Sequence, residues 1–114
     1  MKNFILFLRA NTSMDPASFS DPKEIEERKY WLENAQNKGY VNQLGGTMPP
    51  IAEMSSTISA DGTIATGPFI QEGHFLTGYL IINAENMKEA QEIAATNPIL
   101  KAGGSVEIRE IVAR

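Results

Sequence analysis

The sequence has no cysteine and a single histidine, His74. Without thiols there is no disulfide, no thiolate zinc site and no cysteine nucleophile. One imidazole cannot build a poly-histidine metal cluster within a chain, so neither a metal nor a cofactor is expected. Cations are scarce as well: 10 Lys and Arg against 14 Asp and Glu give a net charge of −4. That balance argues against nucleic acid as a partner, because phosphate backbones are gripped by clustered Lys and Arg. Long apolar runs are also lacking. The opening run Phe4-Ile5-Leu6-Phe7-Leu8 stops at Arg9, short of the ~7–15 residues of a signal-peptide core and the ~20 of a membrane span. A soluble, cytoplasmic protein without a membrane partner is the expectation. There are no repeats, low-complexity tracts or linker-like stretches, and 114 residues suit one domain, 1–114.

What is present alternates between strand and helix signals. Phe4 to Leu8 is apolar at every position, the pattern of a strand covered on both faces. Asp21-Pro22-Lys23-Glu24 starts a helix, with Asp as N-cap and Pro in the first turn. It should run to about Lys38, where Gly39 supplies a left-handed cap. Ile25, Leu32 and Ala35 form its apolar stripe, with Trp31 at the edge. Residues 10–20, with Asp15-Pro16, read as a loop. Val41 to Leu44 is a short extended piece ending at Gly45-Gly46, which either turns tightly or lets a backbone come close. Glu53 to Ser59 alternates like a half-exposed strand, and Ala60-Asp61-Gly62 turns it into a second, 63–66, as a hairpin. Gly78-Tyr79-Leu80-Ile81-Ile82 is the most strand-like run. Asn86 and Glu89 carry a second capping signature, and Met87, Ala90, Ile93 and Ala94 should face a sheet. Ser105 to Val112 closes the chain as a strand. The order describes an α+β fold, a ferredoxin-like split β-α-β with an inserted β-hairpin.

The corner Thr66-Gly67-Pro68-Phe69 ahead of Gly78-Tyr79 and the closing Ser105-Val106-Glu107-Ile108-Arg109 resemble the YCII-related family, in its DGPF branch. The family's acidic residue at the corner is Thr66 here. The resemblance implies a homodimer in which two sheets pack face to face, the dimeric α+β barrel. That fits strands apolar on both alternations, whose second face needs dry cover. Where the family has Glu-Thr-Lys-Glu this chain has Gln71-Glu72-Gly73-His74, so no family role passes to residues 73 and 74. The histidine that related enzymes carry near the first helix, paired with an aspartate, has no counterpart.

Candidate site residues follow from chemistry. His74 is the one side chain whose unperturbed titration lies near neutral pH, and Glu72 two residues earlier could orient it as a general base; the competing assignment is surface or hydrogen-bonded structure. Arg9 falls on the alternation of Ile5 and Phe7, as a solvent-facing or ion-paired strand end or as an anion contact. Arg109, with Glu107 on its face, is either half of a structural pair or part of an ionic cavity wall. Trp31, Phe69 and Tyr79 offer aromatic surface for packing or for a ligand, and Tyr79 should share a face with Thr77 and Ile81. The leading functional expectation is a homodimer binding a small molecule in a cavity between sheet and helices, in an accessory or regulatory role. The alternative is a cofactor-free lyase, isomerase or oxygenase with His74 as base, and a third is a structural module without a ligand.

Overall fold

The computed structural model describes residues 1–14 and 20–114, so the expected loop at Asp15-Pro16 lies outside the described residues. In chain order the elements are β1 (Lys2–Asn11), α1 (Pro22–Asn37), β2 (Val41–Thr47), β3 (Ser56–Ile58), β4 (Ile64–Thr66), β5 (His74–Ala84), α2 (Met87–Ala94) and β6 (Ser105–Ile111). Short 3-10 turns sit at Ala52–Met54 and Pro98–Leu100. The main sheet has the order β2-β5-β1-β6 and is antiparallel throughout. With both helices crossing over the same face, this is the ferredoxin-like arrangement.

Both helices begin as their residues dictate. The Asp21 side chain accepts from the Lys23 amide at 2.9 Å, Pro22 occupies the first turn, and the helix closes at Lys38 ahead of Gly39 at φ 77°. In α2 the Asn86 side chain accepts from the Glu89 amide at 2.9 Å, and the Glu89 carboxylate accepts from the Glu85 amide at 3.2 Å. These caps satisfy amides that have no partner within the helix.

The core forms where Phe4 and Leu6 of β1, with Leu80, Ile82 and Ala84 of β5, meet Ala90, Ile93 and Ala94 of α2. Trp31 and Leu32 of α1 pack against its margin. Phe4, Leu6 and Ile82 are wholly buried. Two stripe residues are displaced from it: Met87 and Ile25 remain 39% and 43% exposed, since each lies in the first turn of its helix, past the end of the packed stripe.

Several expected boundaries shift. Strand β1 runs on through Ala10 and Asn11, expected as loop, because they pair with Phe75 and His74. Strand β2 does not stop at Gly45-Gly46 but bulges through them to Thr47, because Gly45 adopts φ 67° and keeps the strand against β5. Strand β3 begins only at Ser56: after Pro49-Pro50 the chain winds through Ala52–Met54, closed by Ser55 N–H to Ala52 O at 3.1 Å. Strand β5 starts four residues earlier than expected, at His74, because β1 pairs with it along its whole length, from Lys2 opposite Ala84 to Asn11 opposite His74. The expected hairpin forms, with Ser56, Thr57 and Ile58 opposite Thr66, Ala65 and Ile64. It is a two-stranded sheet of its own. Its turn is held by the Asp61 carboxylate, which accepts from the Thr63 amide at 2.9 Å; that bond keeps the Asp61 carboxyl below its ordinary pKa.

Candidate functional site

The two helices cover one sheet face, and no described helix packs on the other. Strand alternation and register decide what that open face carries. Along β1 it takes Asn3, Ile5, Phe7 and Arg9. Opposite them stand Asn83, Ile81 and Tyr79 of β5, and Ile111, Arg109 and Glu107 of β6. The centre is therefore Ile5, Phe7, Tyr79 and Ile81, all part-exposed, with Tyr79 at 38%. One end is an amide cluster: Asn3 Nδ2 and Asn42 Nδ2 both donate to Asn83 Oδ1, at 2.9 and 3.2 Å.

The other end is ionic. Arg9 Nη1 donates to Glu107 Oε1 at 2.5 Å, and Arg109 Nη1 donates to Glu107 Oε2 at 3.3 Å. Arg9 reaches Glu107 diagonally across the β1–β6 pair, since Arg9 itself stands opposite Ser105. Arg109 reaches it along its own strand. Two guanidiniums on one carboxylate leave a net positive charge. The Glu107 carboxyl is held below its ordinary pKa, chiefly by the hydrogen bond from Arg9; burial opposes this, and the weaker hydrogen bond from Arg109 adds to the lowering. A depressed carboxyl pKa stabilises the fold above the ordinary carboxylate range, and that contribution is lost as pH falls through the folded-state value. In thermal melts taken between about pH 6 and about pH 3, wild-type protein is therefore expected to lose more stability than Glu107→Gln. Parallel curves would show that the cluster adds nothing.

His74 is the first residue of β5 and stands opposite Asn11, two residues along β1 from Arg9, so it lies on the open-face alternation. Its Nδ1 is 3.0 Å from the main-chain oxygen of Glu72. That partner is the carbonyl, not the carboxylate expected to orient the ring. A carbonyl only accepts, so Nδ1 carries a proton, and in the neutral ring Nε2 keeps its lone pair. The bond comes from a tight turn in which Gln71 and His74 exchange both backbone hydrogen bonds at 2.9 Å. Glu72 and Gly73 between them have φ 51° and 77°, the type I′ geometry that favours Asn-Gly. Glu72 is strained there. Glu72→Asn is expected to raise unfolding free energy by about 0.5–1 kcal/mol in urea titrations, with the His74 ring held as before.

The remaining candidates are elsewhere. Trp31 lies on the helical side, where its Nε1 donates to Thr96 Oγ1 at 2.8 Å, at a groove of about 240 Å³ between α1 and α2 floored by Ala35 and Ile93. Phe69 is 66% exposed on the corner. Beside it a hollow of about 260 Å³ is lined by Met14, Pro68, Ile70 and Phe75, with Asn11 and Thr12 at its polar side. Thr77 does not share the face of Tyr79: a bulge between Leu8 and Arg9 sets it aside, buried with its hydroxyl donating to Met48 O at 3.2 Å. The space between sheet and helices, expected to hold a ligand, is filled by Phe4, Leu6, Leu80 and Ile82. Arg9, His74, Tyr79 and Arg109 are thus brought to one face, while Trp31 and Phe69 are not. The amide cluster had no sequence signal beyond asparagines at matching parity.

Among the described residues no helix is long and apolar enough to cross a membrane, and no group of three or more His, Cys, Asp or Glu gathers that could hold a metal.

The model of the YCII-related domain matches residues 30–113. No curated protein sequence matches the chain. Among solved structures, the fold is similar to that of 5-chloro-2-hydroxyhydroquinone dehydrochlorinase from Burkholderia phenoliruptrix AC1100 in complex with 2,5-dihydroxybenzoquinone. Identity is 15%, the match covers 96% of this chain and 93% of that one, and the TM-score is 0.56. At that identity the likeness is one of fold.

Proposed function

As the chain belongs to the YCII-related family, we propose that it works as a homodimer whose open sheet faces pack together and hold a small molecule at their ionic end. The ligand class that fits is a compact ring carrying an acidic oxygen. The carrying observation is the make-up of the open face: Ile5, Phe7, Tyr79 and Ile81 in the middle, and Arg9 and Arg109 sharing one carboxylate at the end. An apolar centre with a polar rim is the anatomy of a protein interface. The surplus guanidinium charge suits an anion, which arginine grips through paired N–H donors. The structural neighbour holds a dihydroxybenzoquinone, a ring compound of this kind. In this reading the protein is an accessory or regulatory binder.

The test is calorimetric titration with 2,5-dihydroxybenzoquinone and with benzoate as a simple aromatic anion. Saturable binding by wild-type protein is expected, weakened about tenfold or more in Arg109→Ala, a loss of one charge-assisted contact. Equal affinity in the variant, or no saturable binding, would sink the ligand assignment.

A second reading makes the protein a cofactor-free enzyme with His74 as general base, and one observation favours it: Nδ1 is anchored on the Glu72 carbonyl, so Nε2 is free to take a proton. Small enol, lactone and hydroxyquinone substrates should then turn over, and His74→Ala should lose about 100-fold or more of kcat. Unchanged turnover in that variant would rule it out.

A further inference from the structure

The segment between β2 and β5 makes the hairpin β3–β4, which joins no strand of the main sheet. Ile58 and Ile64 stand directly opposite each other on it, and each is 70% exposed. Met54 before the hairpin is 65% exposed, and Phe69 and Ile70 at its foot are 66% and 54% exposed. A hairpin held by three residue pairs is marginal alone in water, and a cross-strand isoleucine pair contributes when something covers it. Exposed edge strands are ordinarily guarded by lysine or other charges. Here residues 39–87, which contain β2, β3, β4 and β5, include no Lys or Arg at all.

Surface area says how much cover is needed. The accessible surface is 7733 Å², against roughly 6,200 Å² for a compact monomer of this mass. The radius of gyration is 15.0 Å, against about 13.3 Å for a compact domain of this length. The excess of roughly 1,500 Å² is about twice the ~800 Å² that each partner contributes to a standard interface. The open sheet face alone does not account for it, because Ile5, Phe7 and Ile81 are already part-covered by their neighbours. The hairpin and its foot are exposed apolar surface outside that face.

We infer that the β3–β4 hairpin is a clasp that lays its Ile58–Ile64 face on a second copy of this chain, beside the sheet-to-sheet contact. A second copy is the occupant because a two-fold interface uses every patch twice. Two hairpins and two open faces then bury an excess of this size in one closed contact. The inference rests on the homodimer reading and adds a separate element to it.

Sedimentation equilibrium on the wild type, on an Ile58→Lys/Ile64→Lys double variant and on Phe7→Asp tests both parts. The double variant changes exposed positions outside the core, so its folding is not at stake. Its dimer dissociation constant is expected to rise at least about 100-fold. A wild-type constant in the double variant overturns the clasp and leaves the sheet contact standing. A monomeric wild type at about 100 μM, where any specific dimer of this size would be formed, overturns both. Hydrogen exchange gives a second readout: the amides of β3 and β4 are expected to be protected in the wild-type dimer and to exchange freely in Phe7→Asp. Protection that persists in the monomeric variant shows the hairpin covered by its own chain, and the clasp is wrong.

Discussion

Replacing Gly45 with alanine is expected to cost about 3 kcal/mol or more of unfolding free energy. A Cβ at this position would lie 1.9 Å from the Tyr79 carbonyl oxygen, 2.7 Å from its carbon and 3.0 Å from Leu80 Cα. All three are backbone atoms of β5 in the middle of the sheet, so no side-chain rotation relieves the overlap. The φ of 67° adds about 1–2 kcal/mol of left-handed strain for any residue with a Cβ. The strand can escape only by lifting off β5 at the bulge, which breaks ladder bonds beside it. Urea unfolding should show a lower midpoint with little change in slope. Gly46→Ala, whose nearest atom would be Tyr79 Cε1 at 3.7 Å, is the control and should cost much less. Equal losses at the two positions would contradict the close approach.

The second large effect concerns assembly. Phe7→Asp should raise the dissociation constant of the proposed homodimer at least about 1,000-fold. Phe7 sits opposite both Tyr79 and Glu107, between the apolar centre and the ionic cluster. Covering a phenyl ring is worth about 1.5–3 kcal/mol, counted twice across a two-fold axis. A carboxylate there would also stand opposite the Glu107 carboxylate and lose its water when the sheets close, a desolvation cost. The fold itself should survive, since Phe7 points away from Phe4, Leu6 and Ile82. Sedimentation equilibrium gives the constant, and far-UV circular dichroism of the diluted protein shows the monomer intact. A dimer of unchanged affinity would mean that the sheets do not face each other.

Local chemistry was legible in the sequence. Asp21-Pro22 and Asn86 through Glu89 place two helix starts because capping needs only residues within one turn. Asp61-Gly62 places the hairpin turn for the same reason. Doubly apolar strands put apolar side chains on both faces of the sheet. Less legible were features made by distant partners. That β2 runs on through two glycines depends on the Tyr79 carbonyl, more than thirty positions away. The extension of β5 back to His74 depends on β1, which pairs with it residue by residue. The grouping of Arg9, Tyr79, Arg109 and His74 on one face depends on the register of three strands and on the bulge that sets Thr77 aside.

Element types and their order, the absence of thiol chemistry and the single imidazole could be read from the chain, because composition, periodicity and caps are properties of short stretches. Tertiary structure alone decided that Glu107 is shared by two arginines, that the histidine leans on a carbonyl rather than a carboxylate, and that Trp31 faces away from both. The first two outcomes are set by which strands hydrogen-bond and in what register, since a slip of one residue turns a strand's side chains to the other side of the sheet; the third is set by α1 packing on the opposite face.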